Sequence, residues 1–367
     1  MPNQPYYILM ITTRIKPTRS FPDEFLDQYR LMGDPPADAV ITTLVAEGGR
    51  EGVGAFMRWL ADAQAVDLST QHPAVQQFFV DHSDLPAWAD RARMQRGMAF
   101  FQKHAGAIGL VLGTLSLPYT YLGANGVQVL WLTERIKNDT ARRLQETGAW
   151  VFAVNDPKQW TSPTRRTAPA PLLVKERGIA AIAFTLKIRL IHAASRWFAG
   201  HTGRWNEAWG TPICQEDMVG TIGAFGYIVL RGLRKLGVSM TEQEEEDYLH
   251  HTNVVGYFNG VAEELLPQNL REAYTLDKQI ARRQFAPTEA GKGLTKSLLN
   301  AIVEISGNPQ ARNLAAAQMR FFLGDNHADA LGIPAVPLEQ SLVNVISRLS
   351  IFPKLVSLPR IDVRGVL

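Results

Sequence analysis

From Ala105 to Thr133 the chain carries no charged residue, and any fold must either bury that stretch or place it in lipid. It is long enough to cross a bilayer as one helix. Gly106, Gly109, Gly113, Gly123 and Gly126 punctuate it, however, and Pro118 falls near its middle, where it would break a spanning helix. The pattern predicts two buried helical segments, about 105–116 and 122–137, flanking a bend at Pro118-Tyr119. Membrane association is the less favoured alternative. At the N-terminus, the apolar stretch Tyr6 to Ile11 has no basic region before it and no cleavage site after it, so a cytoplasmic protein is expected.

Burying such a stretch requires a large core, and 367 residues with 46% hydrophobic content can supply one without disulfides. The single cysteine, Cys214, excludes a disulfide framework, a multi-cysteine zinc site and covalent haem attachment through CxxCH. Lys and Arg total 38 against 35 Asp and Glu, and the two signs are interleaved, so no nucleic-acid footprint is visible.

Helical periodicity runs through the rest of the chain. Thr211-Pro212 followed by Gln215-Glu216-Asp217 reads as a helix start, and Met218, Ile222, Phe225, Val229, Leu233 and Leu236 continue at helical spacing. Ser239 to Glu242 reads as a capping box opening the next helix, which runs through Ala262 to a stop at Pro267. Further helices are expected near 38–45, 51–64, 73–80, 88–103, 138–155, 177–199, 269–283, 288–305, 309–323 and 337–350. No series of β-hairpin signals appears. The expected fold is all-α, with residues 1–30 an N-terminal arm and 31–367 one helical domain. A proline-rich irregular segment is expected at 156–171.

Among eight histidines, His192 stands out because it lies within the strongly apolar helix Gly178 to Trp197. Arg189, three residues before it, and Arg196, four after, share its face. Two guanidiniums beside a neutral imidazole would serve a planar dianionic metal cofactor, the imidazole ligating iron and an arginine pairing with carboxylates. The same spacing suits a solvated stripe of Lys187, Arg189, His192 and Arg196 on an amphipathic helix, and spacing alone does not choose. A second candidate cluster is Arg143, Glu146 and Thr147, which share a helix face and would line a pocket as donors or an acid-base group. A surface ion pair between Arg143 and Glu146 explains it equally well. There is no HExxH, Walker loop, GxSxG, Rossmann fingerprint or paired Glu-x-x-His motif, so zinc-hydrolase, nucleotide-enzyme and di-iron carboxylate readings fall away.

Six segments, taken in order, resemble the latex-clearing proteins (rubber oxygenases) and the MpaB-type oxygenases. They are LPAWAD (85–90), RRLQET (142–147), RLIHAASR (189–196), WGTPICQEDM (209–218), GLRKLG (232–237) and YLHHTNVVG (248–256), covering about 85–270. The resemblance implies a globin-like helical core with extra helices around a buried, non-covalent b-type haem. It also implies oxidative cleavage of an isoprenoid carbon-carbon double bond by dioxygen. On it, His192 corresponds to the axial iron ligand, Arg189 and Arg196 become cofactor-binding residues, and Arg143 and Thr147 match distal-side residues. Glu146 departs from the pattern, because rubber-cleaving members can carry a lysine there. The spacer between Thr147 and His192 is also unusually long. Glu134 and Glu146 are the neighbours considered for the family's separate catalytic glutamate. The implied partners are dioxygen and a hydrophobic substrate, and a small terpenoid or unsaturated lipid suits the chain better than extracellular polyisoprene. Two other classes compete: a non-catalytic helical protein that binds haem or a hydrophobic ligand, and a purely structural helical protein.

Overall fold

The computed structural model describes residues 18–61, 68–132, 140–161 and 179–336. Among these no β-strand forms, and Gly123 and Phe285 make an isolated antiparallel bridge. The helices in chain order are α1 (Asp23–Arg30), α2 (Pro35–Ala61), α3 (Pro73–His82), α4 (Arg91–Val111), α5 (Leu117–Thr120), α6 (Val127–Leu132), α7 (Thr140–Val154) and α8 (Ala180–Gly200). They continue with α9 (Gln215–Phe225), α10 (Tyr227–Lys235), α11 (Glu242–Phe258), α12 (Leu270–Gln284), α13 (Glu289–Ser306), α14 (Ala311–Leu323) and α15 (Asp325–Ala330). The expected helix at 337–350 lies outside the described residues, as do 162–178 of the long spacer and Glu134.

The uncharged stretch is packed into this helical array, and no helix among the described residues is long and apolar enough to cross a membrane. Its bend is displaced from the expected place. α4 continues through a π-helical turn, Leu112–Ser116, directly into α5, with Pro118 in the first turn of α5. Widening the ladder before a proline relieves the clash that a regular helix would suffer there. The chain turns instead over 121–126, where Gly123 and Gly126 lie. The two expected helices at 38–45 and 51–64 join into α2 through a kink at Gly49 (φ 60°, ψ −162°).

Two other boundaries also differ. The helix expected to start at Thr211-Pro212 begins at Gln215, and it breaks at Gly226 (φ −102°, ψ −89°) into α9 and α10. Hydrophobic spacing carries across such a kink unchanged, so periodicity does not record it. The capping box is formed by Thr241 and Glu244, two residues later than expected: the Thr241 hydroxyl accepts from the Glu244 N–H while the Glu244 carboxylate accepts from the Thr241 N–H. That helix ends at Phe258, before Gly260 with φ +89°.

α4 and α11 form the most extensive helix pair. Asp90 caps α4 by accepting from the N–H groups of Ala92 and Arg93. The Asp90 N–H in turn donates to His250 Nε2, 2.9 Å away, on α11. Asp247 of α11, 1% exposed, accepts from Arg93 Nε at 3.0 Å and Arg96 Nε at 2.6 Å on α4. At the crossing Gly97 allows close backbone approach: a Cβ there would meet the Asp247 carbonyl oxygen at 2.6 Å. Gly97→Ala is therefore expected to push the two helices apart and lower unfolding free energy by about 1–3 kcal/mol, measurable as a shift in urea midpoint. The larger apolar core gathers α2, α3, α4, α8, α10, α11, α13 and α14. A smaller one joins Phe21, Leu26 and Tyr29 to Met218, Ile222, Leu265 and Leu276.

Candidate active site

A cavity of about 1330 Å³ opens between α2, α7, α8, α9 and α12. Pockets for a single drug-sized ligand run to roughly 300–1,000 Å³, so this space exceeds the usual size of such a site. α8 contributes Ile188, Ile191, His192, Ser195 and Ala199 to its wall, a spacing that defines one helix face. α7 contributes Arg143, Glu146, Thr147 and Trp150. Trp150 Nε1 donates to Thr185 Oγ1 at 3.1 Å, fastening α7 to α8. The structure thus brings four of the six candidate residues, His192, Arg143, Glu146 and Thr147, to one cavity.

His192 is enclosed by protein but reached from the cavity. Burial pushes its pKa down to about 4, and the positive charges of Arg196 and Arg143 act in the same direction against Asp34. The imidazole is therefore neutral at physiological pH, the form that binds metals. Its Nδ1 is buried with no hydrogen-bond partner among the described residues.

Arg189 and Arg196 are placed differently from the sequence expectation. Neither lines the cavity. Arg189 holds Asp34 bidentately, Nε to Oδ2 at 2.6 Å and Nη2 to Oδ1 at 2.8 Å. Arg196 donates from Nε to Asp38 Oδ1 at 2.8 Å and from Nη1 to the Ile213 carbonyl at 2.6 Å, leaving Nη2 buried without a partner. Two carboxylates at the start of α2 draw the long side chains sideways, because a buried guanidinium needs a paired counter-charge. The arginines that line the cavity are Arg142 and Arg143. The solvated-stripe reading of α8 also fails, since Lys187, Arg189 and Arg196 are all buried. Gly260 gives the Arg189–Asp34 pair its space: a Cβ there would lie 2.2 Å from Asp34 Oδ2. Gln215 braces the same region through the carbonyls of Gly33 and Gly260. The sequence reading missed Asp34 and Asp38, although two acids one turn apart at a helix start are a visible signal.

Glu146 is paired with Arg142, Nε to Oε1 at 2.8 Å, rather than with Arg143. Both side chains are more than half exposed, 63% for Arg142 and 54% for Glu146, so the pair contributes only about 0.3–0.5 kcal/mol. Arg143 lies within electrostatic reach of His192 and of Tyr121, whose phenol is pushed up to about 12 by burial.

Three histidines, His192, His250 and His251, are each held at about 4, chiefly by burial. An unfolded histidine titrates near 6.5. Between those values the unfolded chain binds protons that the folded chain refuses, so stability falls as pH falls from about 6.5 toward 4. Urea midpoints are expected to be steady above pH 7 and to decline from pH 7 to 5, with proton uptake on unfolding approaching three. A midpoint flat across that window would contradict the burial of these rings.

The chain matches the family model described as ER-bound oxygenase mpaB/B'/rubber oxygenase, catalytic domain, over residues 102–350, more than half its length. The chain belongs to this family. The match reaches further toward the C-terminus than the motifs at 85–270 and includes α7, α8 and the cavity helices from α9 to α12. Over 316 residues the chain is 25% identical to the rubber oxygenase of Streptomyces sp. (strain K30), covering 84% of this chain and 73% of that protein. Its fold is similar to that of latex clearing protein LCP in the closed state, with a TM-score of 0.69, 22% identity and coverage of 92% of this chain and 90% of that one. Membership in the mpaB/rubber oxygenase family carries oxygenase chemistry and agrees with the all-α fold expected from helical periodicity.

Proposed function

We propose that this chain is a haem b-dependent oxygenase that uses dioxygen to cleave a carbon-carbon double bond of a hydrophobic, isoprenoid substrate. The observation that carries this reading is His192: a neutral imidazole on the wall of a large, mostly apolar cavity, with Arg143 and Thr147 lining the same space.

The residues present fit a b-type haem. Among the described residues no group of three or more His, Cys, Asp or Glu side chains converges. An iron held at His192 would thus draw its remaining ligands from a macrocycle rather than from further side chains. Neutrality of the ring costs nothing at pH 7, and a lone protein ligand suits a non-covalently held cofactor. When bound, haem would supply the redox centre at which dioxygen is activated.

His192 would hold the cofactor through a ring nitrogen. Arg143 and Thr147 would act as hydrogen-bond donors in the cavity, directed at groups that gain negative charge during the reaction. Arg189 and Arg196 act as positioning residues, fixing α8 against the start of α2 through Asp34 and Asp38. Exposed and paired with Arg142, Glu146 is a weaker candidate for proton transfer than its sequence position suggests. The apolar wall, which includes Ile188, Ile191, Val219 and Ile222, excludes water from a hydrocarbon chain.

The test is an absorbance spectrum of protein expressed with ample haem precursor, followed by oxygen uptake and carbonyl-product analysis with a panel of isoprenoid alkenes. A Soret band with alkene-dependent oxygen consumption is expected. No Soret band would overturn the haem reading, and a Soret band without turnover of any alkene would leave a haem carrier instead of an oxygenase.

A further inference from the structure

One part of the cavity wall has a polar constellation for which the oxygenase reading has no use. α12 brings Asp277 to the wall beside Leu276 and Ile280, and α5 brings Tyr119. Tyr119 Oη donates to Asp277 Oδ1 at 2.9 Å. Arg231 Nη1 lies 3.8 Å from Asp277 Oδ2, within ion-pair range but beyond a hydrogen bond. Its guanidinium also covers the Tyr119 ring, 4.7 Å from the centroid. Asp277 Oδ2 thus accepts no hydrogen bond among the described residues, on a side chain only 19% exposed.

A carboxylate in an apolar wall is costly unless its acceptor sites are filled. Burial raises the pKa of Asp277, as expected for an under-solvated acid, with Arg231 and the Tyr119 hydrogen bond opposing it. A plain hydrocarbon gains nothing from such a group, and a wall of leucine and isoleucine would hold it better. A hydroxyl group, by contrast, would fill the open acceptor.

We propose that Tyr119 and Asp277 form a polar subsite that binds the hydroxyl group of an isoprenoid alcohol, so that the substrate is an apolar chain ending in a hydrogen-bond donor. The inference rests on the oxygenase reading for the fate of the chain, but the binding it describes occurs without turnover. Asp277 orients the donor, Tyr119 fixes the carboxylate, and the apolar remainder of the cavity takes the chain.

The experiment measures binding to the full chain, purified with whatever cofactor it carries, by calorimetry without dioxygen. The probes are a fifteen-carbon isoprenoid alcohol, its aldehyde and its hydrocarbon. The wild type is expected to bind the alcohol about tenfold or more tightly than the hydrocarbon, the range of a hydrogen bond to a charged acceptor. Asp277→Asn keeps an oxygen for Tyr119 and turns an N–H toward the ligand, so preference should move from the alcohol to the aldehyde. Asp277→Leu should erase the alcohol preference and retain hydrocarbon binding. Thermal melting confirms folding, and either variant decides alone if the other fails to fold. Equal binding of alcohol and hydrocarbon by the wild type, or an unchanged ratio in a folded Asp277 variant, would overturn the proposal. An intact alcohol preference in a protein that consumes no oxygen would sink the oxygenase reading and leave the subsite standing.

Discussion

Replacing His192 with alanine is expected to remove the Soret band of the haem-replete protein and reduce alkene-dependent oxygen uptake to background. Among the described residues no cluster of metal-ligating side chains stands ready to substitute for it. A ligand bond worth only about 1.4 kcal/mol already changes the dissociation constant tenfold, and an iron–imidazole bond is worth more than that. The fold should survive the change. His192 Nδ1 is buried without a hydrogen-bond partner, and the ring borders an existing cavity, so its removal breaks no hydrogen bond from that nitrogen and opens no closed packing. The informative result is therefore a protein with near wild-type melting that no longer holds haem. Full haem occupancy with an unchanged spectrum would refute the ligand assignment.

The second large effect concerns stability. Asp34→Ala is expected to cost about 3–5 kcal/mol, because it leaves the Arg189 guanidinium buried with no counter-charge. Asp34 is 2% exposed and the Arg189 side chain 9%, so solvent offers little relief. Removing both partners together, Asp34→Ala with Arg189→Met, should recover much of that loss, since an uncharged pair no longer has to be desolvated. Urea denaturation of the two single variants and the double variant measures the coupling directly. Additive losses would mean that the bidentate pair is not the unit that joins α2 to α8. The same variants examine the positioning role of Arg189: α8 carries His192, so a haem spectrum altered in the folded single variant would follow from a shifted helix.

Much of the candidate site is legible in the sequence. RRLQET and RLIHAASR each place their polar residues at helical spacing, and α7 and α8 present Arg143, Thr147 and His192 to one cavity. What the motifs could not convey was the direction of long side chains. Arg189 and Arg196 share a helix face with His192 in sequence, yet each guanidinium reaches a different carboxylate more than 150 residues away. Similarly, Glu146 is one turn from Arg142 and only three residues from Arg143, and the fourth-residue neighbour forms the pair. Tyr119 and Asp277 were invisible as a unit. They are 158 residues apart, and neither belongs to a motif.

By itself, then, the sequence determined the helical architecture, the burial of the uncharged stretch and the identity of the one histidine within an apolar helix. These follow from local properties: charge content, a repeat of three to four residues, and glycine and proline positions within a few turns. Only the tertiary structure decided where the uncharged stretch turns, which carboxylates neutralise the α8 arginines and that the cavity wall carries a hydrogen-bonded Tyr119–Asp277 pair. Such choices depend on which groups are desolvated together, and desolvation is set by neighbours from distant helices. A charged side chain takes whichever counter-charge the packed helices bring within its reach, and spacing along the chain does not specify that distance.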